Sequence, residues 1–449
     1  MLQLRSQLTQ DTRAAFAALY RLSWPVAASR VGVMLMAFLD TVIVGRYSSA
    51  ELSFLMLSQA LFWVPAVASM GLLMGIQVKT AHFLGAGDLH RIGAVFQRGM
   101  IYAVVMGFGL MILLLVAGMG FLTWVVKPEL AAGARAPLVV FAASMPLFLV
   151  LTGSSQFLEA LSRTRDVMIT TLIANVLNVV LLLVLVPGHV PGIHGAMGAA
   201  VATLIARSLQ AIALFIHILR LKETRPFDLL GRQALDKQGA VEQRHIGYAA
   251  GASYFIEAAA FAGMTMFAGR ISEEAVAAWS IILNFASIVF MVPMGLSAGC
   301  SVLVGKAYGA HDREGLKLMG RVSFVSAAAF MALVVVLMLI FVGPLTRLYT
   351  NDAALQPLVH QGLLLSCLFY IPDGLQVVAA QALRARKDVL APTVIHYLSY
   401  GAIMLPLGFV FALSLGWGTA GLVGAVVVAS AISGTFQTGR FLWLDRAAA

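Results

Sequence analysis

The stretch VGVMLMAFLDTVIVG, residues 31–45, decides the fold class, because it is apolar apart from one acid, Asp40, and the threonine beside it. Two later stretches share this character: GASYFIEAAAFAGMTMF, residues 251–267, contains Glu257, and LLLSCLFYIPDGLQVVAA, residues 363–380, contains Asp373. A charged side chain at membrane depth is costly and is usually kept only where it faces a cavity or a partner. One such acid is compatible with a neutral carboxyl hydrogen-bonded between helices. Three together indicate a membrane protein that exchanges protons or binds cations.

The composition supports a chain that lies in the membrane along its whole length. Of the 449 residues, 60% are hydrophobic and only 11% are charged, and the mean hydropathy is +0.91. Apolar stretches of about 20 residues are long enough to span a bilayer as helices. We predict twelve of them, at residues 24–46, 52–78, 95–122, 137–160, 167–187, 195–220, 246–270, 276–303, 321–343, 358–383, 390–415 and 419–443. The short connections leave no room for a soluble catalytic or nucleotide-binding domain.

The net charge of +10 reports membrane topology and does not indicate a nucleic-acid partner. If the N-terminus is placed in the cytoplasm, the cytoplasmic segments hold 23 of the 30 Lys and Arg residues. The opposite side holds Arg46, Lys127, Arg135, Arg270 and Arg347. This positive-inside bias predicts a plasma-membrane protein with both termini in the cytoplasm.

The chain repeats itself at an offset of 222–224 residues, which indicates a duplication. The matched motifs are Met70-Gly71-Leu72 and Gly75 with Met294-Gly295-Leu296 and Gly299; Gly85-Ala86-Gly87-Asp88 with Gly309-Ala310-His311-Asp312; Ala160-Leu161 with Ala382-Leu383; and Gly45-Arg46 with Gly269-Arg270. Six spans per repeat, an even number, place both repeats in the membrane in the same direction. We therefore predict an all-α membrane protein of twelve transmembrane helices, in two parallel six-helix repeats around a central cleft.

The predicted domains are an amino-terminal lobe at residues 1–220, a basic cytoplasmic linker at 221–245 and a carboxy-terminal lobe at 246–449. Prolines support movement of the spans: Pro25 is expected to open the first span, and Pro372 to break the tenth next to Asp373. Arg163, Arg165, Arg384, Arg386 and Lys387 are expected to set topology, and Glu159 to pair with Arg163 on a helix surface.

These residues resemble the multidrug and toxic compound extrusion (MATE) family, specifically its NorM-like bacterial branch. The resemblance covers essentially the whole chain. Its most specific pieces are Pro25 with Asp40-Thr41 and Gly45, the loop Gly85-Ala86-Gly87-Asp88, Glu257, and Asp373 followed by Ala382-Leu383-Arg384 and Lys387-Asp388. The resemblance implies an exporter of organic cations that takes up protons or sodium ions in exchange.

The resemblance also implies a set of functional positions. In the amino-terminal lobe these are Asp40, Asn178 in the fifth span and Thr203 in the sixth. Many members place a second acid or amide one turn beyond the asparagine, where this chain has Leu182, and Asn175 could substitute from one turn earlier. In the carboxy-terminal lobe the implied positions are Glu257 and Asp373.

The departure at Leu182 bears on the coupling ion. Sodium requires about five or six oxygen ligands, by analogy with other hard cations, so losing a side-chain oxygen favours H⁺ in the amino-terminal lobe. Glu257 and Asp373 leave Na⁺ open as a bound metal ion in the other lobe. We expect no other cofactor.

Polyspecific binding of small organic cations calls for an adaptable apolar cleft. Flexible thioethers and aromatic faces bind flat lipophilic cations without fixed geometry. The predicted cleft residues are Met34, Phe38, Asn175, Phe255, Phe261, Met264 and Phe285. Most residues of these types in any membrane helix are ordinary packing or lipid-facing residues.

Other classes of protein fit less well. The segment Gly299–Lys306 has one residue too many between its glycines for a phosphate-binding loop. No paired nucleophile and base or metal cluster suggests an enzyme. The serious alternative is a lipid-linked oligosaccharide flippase on a related scaffold, which should need several basic residues in its cavity, whereas the embedded basic residues here, Arg30 and Arg207, are outnumbered by acids. We expect a monomer in the lipid bilayer that binds no nucleic acid.

Overall fold

The structure is a computed structural model that describes residues 2–231 and 236–447. In these ranges the chain is helical, and a single isolated bridge between Val190 and Ile193 takes the place of any strand. The first repeat contains α1 (Leu2–Tyr47), α2 (Ser49–Leu72), α3 (Gly75–Ala86), α4 (His90–Leu113), α5 (Met119–Val125), α6 (Pro128–Ala160), α7 (Thr164–Leu185) and α8 (Gly195–Arg220). A π-helical segment, Leu114–Gly118, joins α4 to α5, and a 3₁₀ segment, Lys222–Phe227, follows α8.

The second repeat contains α9 (Lys237–Ile271), α10 (Glu273–Gly309), α11 (Arg313–Tyr349), α12 (Leu355–Ala385), α13 (Leu390–His396), α14 (Leu405–Phe409) and α15 (Gly418–Ala447). Two π-helical segments, Tyr397–Met404 and Val410–Ser414, flank α14 and keep α13 and α14 in one long span. The order of spans matches that of the first repeat, but the interruptions differ. α10 and α11 are unbroken where α2–α3 and α4–α5 are interrupted, and the span of α13 and α14 is divided where α7 is continuous. The predicted fold class, an all-α membrane protein of twelve helices in two repeats, is confirmed.

Eleven helical stretches within the described residues are long and apolar enough to cross a membrane. The predicted span that is not among these eleven, at residues 246–270, lies in α9, a continuous helix of 35 residues. It is less apolar than the others because it contains Glu257 and many alanines and glycines in place of larger aliphatic residues.

The expected effects of two prolines are wrong. Pro25 lies inside α1, which begins more than 20 residues earlier, and Pro372 lies inside the continuous helix α12. A membrane helix can continue through proline where neighbouring groups satisfy the freed carbonyl. An interruption does occur after Leu72, where α2 ends and Leu73 and Met74 form a turn before α3.

The chain divides into two compact units, residues 28–251 and residues 1–27 with 252–449. The division therefore falls inside α1 and α9, whereas the predicted boundaries were at 220 and 245. The predicted linker is itself ordered where described: Phe227 and Leu229 pack into the core of the 28–251 unit, and Lys237 begins α9. Arg232, expected in this linker, lies outside the described residues.

The repeated glycines explain this division. A Cβ atom on Gly71 would lie 2.6 Å from the backbone nitrogen of Gly251, and one on Gly295 would lie 2.7 Å from the carbonyl oxygen of Ser23. Small residues allow membrane helices to approach backbone to backbone. Within one unit α2 thus packs on the first part of α9, and within the other α10 packs on the first part of α1.

Candidate functional site

Asp40 lies in the interior of the 28–251 unit, where α1, α7 and α8 meet. Its side chain is 1% exposed, and Oδ2 accepts a hydrogen bond of 2.9 Å from Thr203 Oγ1. Asn178 Nδ2 donates to the same hydroxyl oxygen at 3.2 Å. The three residues implied by the resemblance therefore form one hydrogen-bonded chain.

Small residues position this chain of groups. A Cβ atom on Gly198 would lie 2.7 Å from the carbonyl oxygen of Leu185, so the Gly- and Ala-rich start of α8 packs tightly on α7. Gly32 similarly lets α1 approach α7, and its carbonyl accepts a hydrogen bond of 2.9 Å from Asn175 Nδ2. Asn175 is thus buried and bound to the backbone of α1, while Leu182 is fully buried in the core.

A small cavity of about 10 Å³ lies beside the Asp40 carboxylate and is also lined by Thr203, Gln59 and Arg207. A cavity of this size holds about one water molecule. Oδ1 of Asp40 has no hydrogen-bond partner among the described residues. An unpaired buried carboxylate oxygen costs free energy unless it gains a proton, a cation or a water molecule.

Arg207 is buried beside this cavity, and its guanidinium lies over the rings of Trp63 and Phe148, at 5.3 and 5.6 Å from their centroids. It forms no direct salt bridge with Asp40 in the described structure, but the two charges are within electrostatic range. Arg207 therefore serves as an internal counter-charge, held by two aromatic faces.

Glu257 and Asp373 lie together in the unit that contains residues 252–449. Glu257 is partly buried on α9, within electrostatic range of Asp373 and Arg384. Asp373 is partly buried on α12, where Tyr400 Oη donates to its Oδ1 at 3.4 Å and Gln376 and Ser430 also surround the carboxylate.

Two local features bring these partners to Asp373. Gly434 allows α15 to pack against Pro372, since a Cβ atom there would lie 2.6 Å from the Pro372 carbonyl oxygen, and Ser430 lies one turn earlier on α15. Tyr400 belongs to the π-helical segment Tyr397–Met404, a type of segment that is frequent at functional sites. Within the described residues no three acidic, His or Cys side chains cluster, so a sodium ion here would take oxygens from these neutral groups as well.

Arg384 is a residue of this site that the sequence interpretation missed. It was expected at the membrane surface, but its side chain is 1% exposed. Its Nη2 donates to Ser253 Oγ at 2.8 Å, and the guanidinium lies 5.9 Å from the ring centroid of Tyr254. Arg384 lies in the last turn of α12, next to the charged Arg386-Lys387-Asp388 turn, and no signal in the sequence distinguishes it from these surface residues.

The expected pair of Glu159 with Arg163 is wrong. Glu159 is buried and accepts a hydrogen bond of 3.0 Å from Gln77 Nε2, with Arg30 at 3.7 Å. Arg163 instead binds Asp166 at 2.9 Å. Glu159 lies on the face of α6 that packs on α3, whereas Arg163 follows the end of α6.

The predicted cleft residues fall into different environments, and their role stays a prediction. Phe38 and Phe255 are 61% and 51% exposed. Met34, Phe261 and Phe285 are partly buried, and Phe285 and Phe261 pack on the core of their own unit. Met264 is fully buried in that core, where it contacts Gly408.

The fold and these buried groups define a class: a multi-pass α-helical membrane protein of two homologous repeats, each with carboxylates buried among polar partners. Residues 25–184 and 249–410 match the MatE family. A Caulobacter vibrioides protein called "Probable multidrug resistance protein NorM" is 42% identical over 440 residues, which cover 96% of this chain and 93% of that protein. A Xanthomonas campestris protein of the same name is 30% identical over 412 residues, covering 89% of this chain and 88% of that one.

The fold is shared with solved structures. A mutant of the Vibrio cholerae MATE transporter VcmN superposes with a TM-score of 0.90 at 16% identity, covering 98% of both chains. A MOP superfamily transporter from Pyrococcus furiosus, described as having a binding pocket of reversed polarity that suggests a different function, reaches 0.88 at 17% identity, covering 96% of both chains. The chain belongs to the MATE family, which confirms the predicted membership of its NorM-like branch. It is a multi-pass membrane transporter, and the fold alone does not decide what it transports.

Proposed function

We propose that this protein exports small organic cations from the cytoplasm in exchange for protons. It would act as a monomer in a bacterial inner membrane, with both termini cytoplasmic. Asp40 carries the proton, and Glu257 with Asp373 supplies the negative charge that attracts the cationic substrate. The named relatives are multidrug resistance proteins, which agrees with this substrate class.

The set of groups around Asp40 is the single observation that supports a proton instead of sodium as the coupling ion. Thr203 and Asn178 are its polar neighbours, and Leu182 supplies no oxygen where a further ligand would be needed. A metal ion in the small cavity would also lie beside the guanidinium of Arg207. Protonation neutralises the carboxylate without adding an ion to the cavity.

The balance of buried charge supports a cationic substrate. Three buried or partly buried arginines each have an acid in range: Arg30 has Glu159, Arg207 has Asp40 and Arg384 has Glu257. Asp373 has the neutral groups Gln376, Tyr400 and Ser430 around it and, among the described residues, no arginine in range. Asp373 is therefore the acid whose charge no embedded arginine of the described structure balances, and this charge favours a positively charged ligand.

A coupled cycle follows from these groups. Proton binding neutralises Asp40, so burying this group while the lobes close on the empty site becomes less costly. Release of the proton restores the charge. Each charge that moves down the membrane potential supplies about 2.3 kcal/mol per 100 mV.

The test is transport of a fluorescent organic cation by the full chain in proteoliposomes, with a pH gradient and a sodium gradient imposed separately. We expect the pH gradient alone to drive transport and Asp40→Asn to abolish it. Asp388→Asn is the matched control, since Asp388 is an acid near the end of a span that pairs with Arg440 at 2.9 Å.

The other outcomes are informative. Transport driven by sodium alone would replace the proton as coupling ion and direct attention to Glu257 and Asp373. If neither gradient drives transport by folded protein, cation export is wrong and the flippase becomes the leading function. Full activity in Asp40→Asn would remove Asp40 from the coupling mechanism.

A further inference from the structure

A second, larger cavity lies in the 28–251 unit, away from Asp40. Its volume is about 260 Å³, and it is enclosed by the turn between α2 and α3, by α4 and by the first turns of α9. The apolar walls include Leu73, Ile76, Ile101 and Val105. Neither the acids nor the predicted cleft residues line it, so the transport mechanism leaves it without a role.

The apolar wall of this cavity continues onto a surface suited to lipid chains. Ile101 and Val105 line the cavity, yet they are 65% and 64% exposed. They lie one turn apart on α4, in a span of high hydropathy. Exposed aliphatic side chains at this depth face the hydrocarbon of the bilayer.

The other end of the cavity is basic. Arg98 and Arg244 both line it. Arg98 Nη1 donates to the Asp236 carbonyl at 3.1 Å, while its Nε is buried with no hydrogen-bond partner among the described residues. Arg244 is exposed and makes no ion pair within the part of the chain that the structure describes.

The acids near this end do not cancel the basic charge. The Asp236 carboxylate is shared between Arg91, at 2.9 Å, and Arg98, at 3.9 Å. Glu242 binds Lys79 at 2.7 Å. Arg244 is left as an uncompensated cation at the cavity mouth.

A buried amide fixes the inner wall of the cavity. Gln243 lines the cavity and is 7% exposed. Its Nε2 donates to the Val95 carbonyl at 3.1 Å, and its Oε1 is buried with no hydrogen-bond partner among the described residues. Because this oxygen is itself buried, Gln243 holds the start of α9 against α4 and offers no group to a ligand.

We infer that this cavity binds an anionic glycerophospholipid such as phosphatidylglycerol. The phosphate lies between Arg98 and Arg244, and an acyl chain runs over Ile101 and Val105. Basic pockets between spans on the cytoplasmic side bind anionic headgroups in this way. The bound lipid would brace the start of α9 against α3 and α4.

The test is native mass spectrometry of the delipidated full chain in detergent, with equimolar phosphatidylglycerol and phosphatidylcholine added. We expect wild type to retain phosphatidylglycerol in preference, and Arg244→Gln to weaken this retention about fivefold, the effect of one basic residue near an anionic lipid surface. Arg98→Gln should weaken it by a similar factor. Arg321→Gln is the matched control, because Arg321 is the ninth residue of α11 as Arg98 is of α4, and it is exposed in the other unit.

One further arm identifies the ligand. Glycerol 3-phosphate at the lipid concentration should not displace the lipid, and if it does, the site is one for a soluble organic phosphate and the lipid assignment is wrong. Equal retention of the two lipids by wild type, or equal losses in Arg244→Gln and Arg321→Gln, would also overturn the inference. Monodisperse elution of each variant verifies its fold.

Discussion

The acid sites of the two repeats differ in both number and setting. In the 28–251 unit a single carboxylate, Asp40, is closed off by Thr203 and lies across a one-water cavity from Arg207. In the other unit two carboxylates, Glu257 and Asp373, share a more open polar cluster with Arg384 and Tyr400. A closed single acid suits a proton, whereas an open pair suits a larger cation.

These acids do not occupy equivalent positions of the duplication. At an offset of 224 residues, the position of Asp40 corresponds to Met264, which is fully buried in the core, and that of Glu257 to Val33. The glycines at the helix crossings are equivalent, as Gly71 and Gly295 show. The two repeats thus kept the residues that allow close packing and diverged in the residues that carry charge.

The largest effect on transport should separate the two acid sites. Asp373→Asn removes the acid that has no cationic neighbour among the described residues, so affinity for an organic cation should fall at least tenfold, or about 1.4 kcal/mol. Asp40→Asn should leave equilibrium binding at pH 7 within about threefold while abolishing proton-driven transport. Fluorescence polarisation of a cationic dye in detergent measures the binding. Equal losses of affinity in the two variants would show that the sites are not specialised.

Arg384 provides a second contrast, between buried and exposed arginines of one unit. Arg384→Met removes the buried guanidinium that hydrogen-bonds to Ser253 and lies in range of Glu257, and losing a hydrogen bond to a charged group costs about 1.5–3 kcal/mol. Arg440→Gln, which removes an exposed partner of Asp388, should cost less than about 1 kcal/mol. Thermal unfolding in detergent gives both values.

A double variant distinguishes lost pairing from lost packing at Arg384. If the charge of Glu257 causes the instability, Glu257→Gln should restore much of the stability of Arg384→Met. Strictly additive effects would contradict the coupling.

The glycine crossings test how far the repeats are equivalent. Gly71→Ala and Gly295→Ala each place a methyl group against backbone of a facing helix, and each should lower the free energy of unfolding by about 1–3 kcal/mol. Gly109 and Gly343, also within helices, have nothing within 4 Å of an added Cβ. Alanine at these two positions should leave stability unchanged or slightly raised. Similar melting temperatures for all four variants would contradict the packing argument.

The smallest effect concerns the start of α9, which lies beside the lipid cavity. Asp236 Oδ1 accepts a hydrogen bond of 2.8 Å from the Gly239 backbone N–H, and this bond, with the nearby Arg91, lowers the pKa of Asp236 below its usual value. Loss of such a helix cap in Asp236→Ala should cost about 1 kcal/mol at pH 7.

The pH dependence of this contribution has a definite sign. Because the pKa of the folded state is the lower one, the stabilisation is fully present above the unfolded value of about 3.9 and is lost as the pH falls through the folded value. The difference in melting temperature between wild type and Asp236→Ala should therefore shrink below about pH 4. A constant difference from pH 7 to pH 3 would assign the effect to packing instead of charge.

Several features of the fold could be read from the sequence because they depend on chain-local chemistry. Runs of about 20 apolar residues predict spans wherever they occur, and repeated motifs such as Met70-Gly71-Leu72 and Met294-Gly295-Leu296 predict two similar bundles. Asp40, Glu257 and Asp373 were conspicuous because a carboxylate in an apolar run is expensive. The resemblance to a family then supplied Asn178 and Thr203, which hydropathy alone does not distinguish from ordinary polar residues.

Only the tertiary structure decided which groups meet. Arg384 follows an apolar span closely and looks like a surface residue, yet at the end of α12 it is buried beside Ser253 and Tyr254 of α9. Glu159 binds Gln77 and Arg30, both distant in the sequence, instead of its neighbour Arg163. The sequence alone determined that this chain is a duplicated membrane bundle with buried acids, because apolar length and repetition are local properties. The partners of each acid, and the basic cavity at the start of α9, depend on which helix faces cross, and long-range packing sets these.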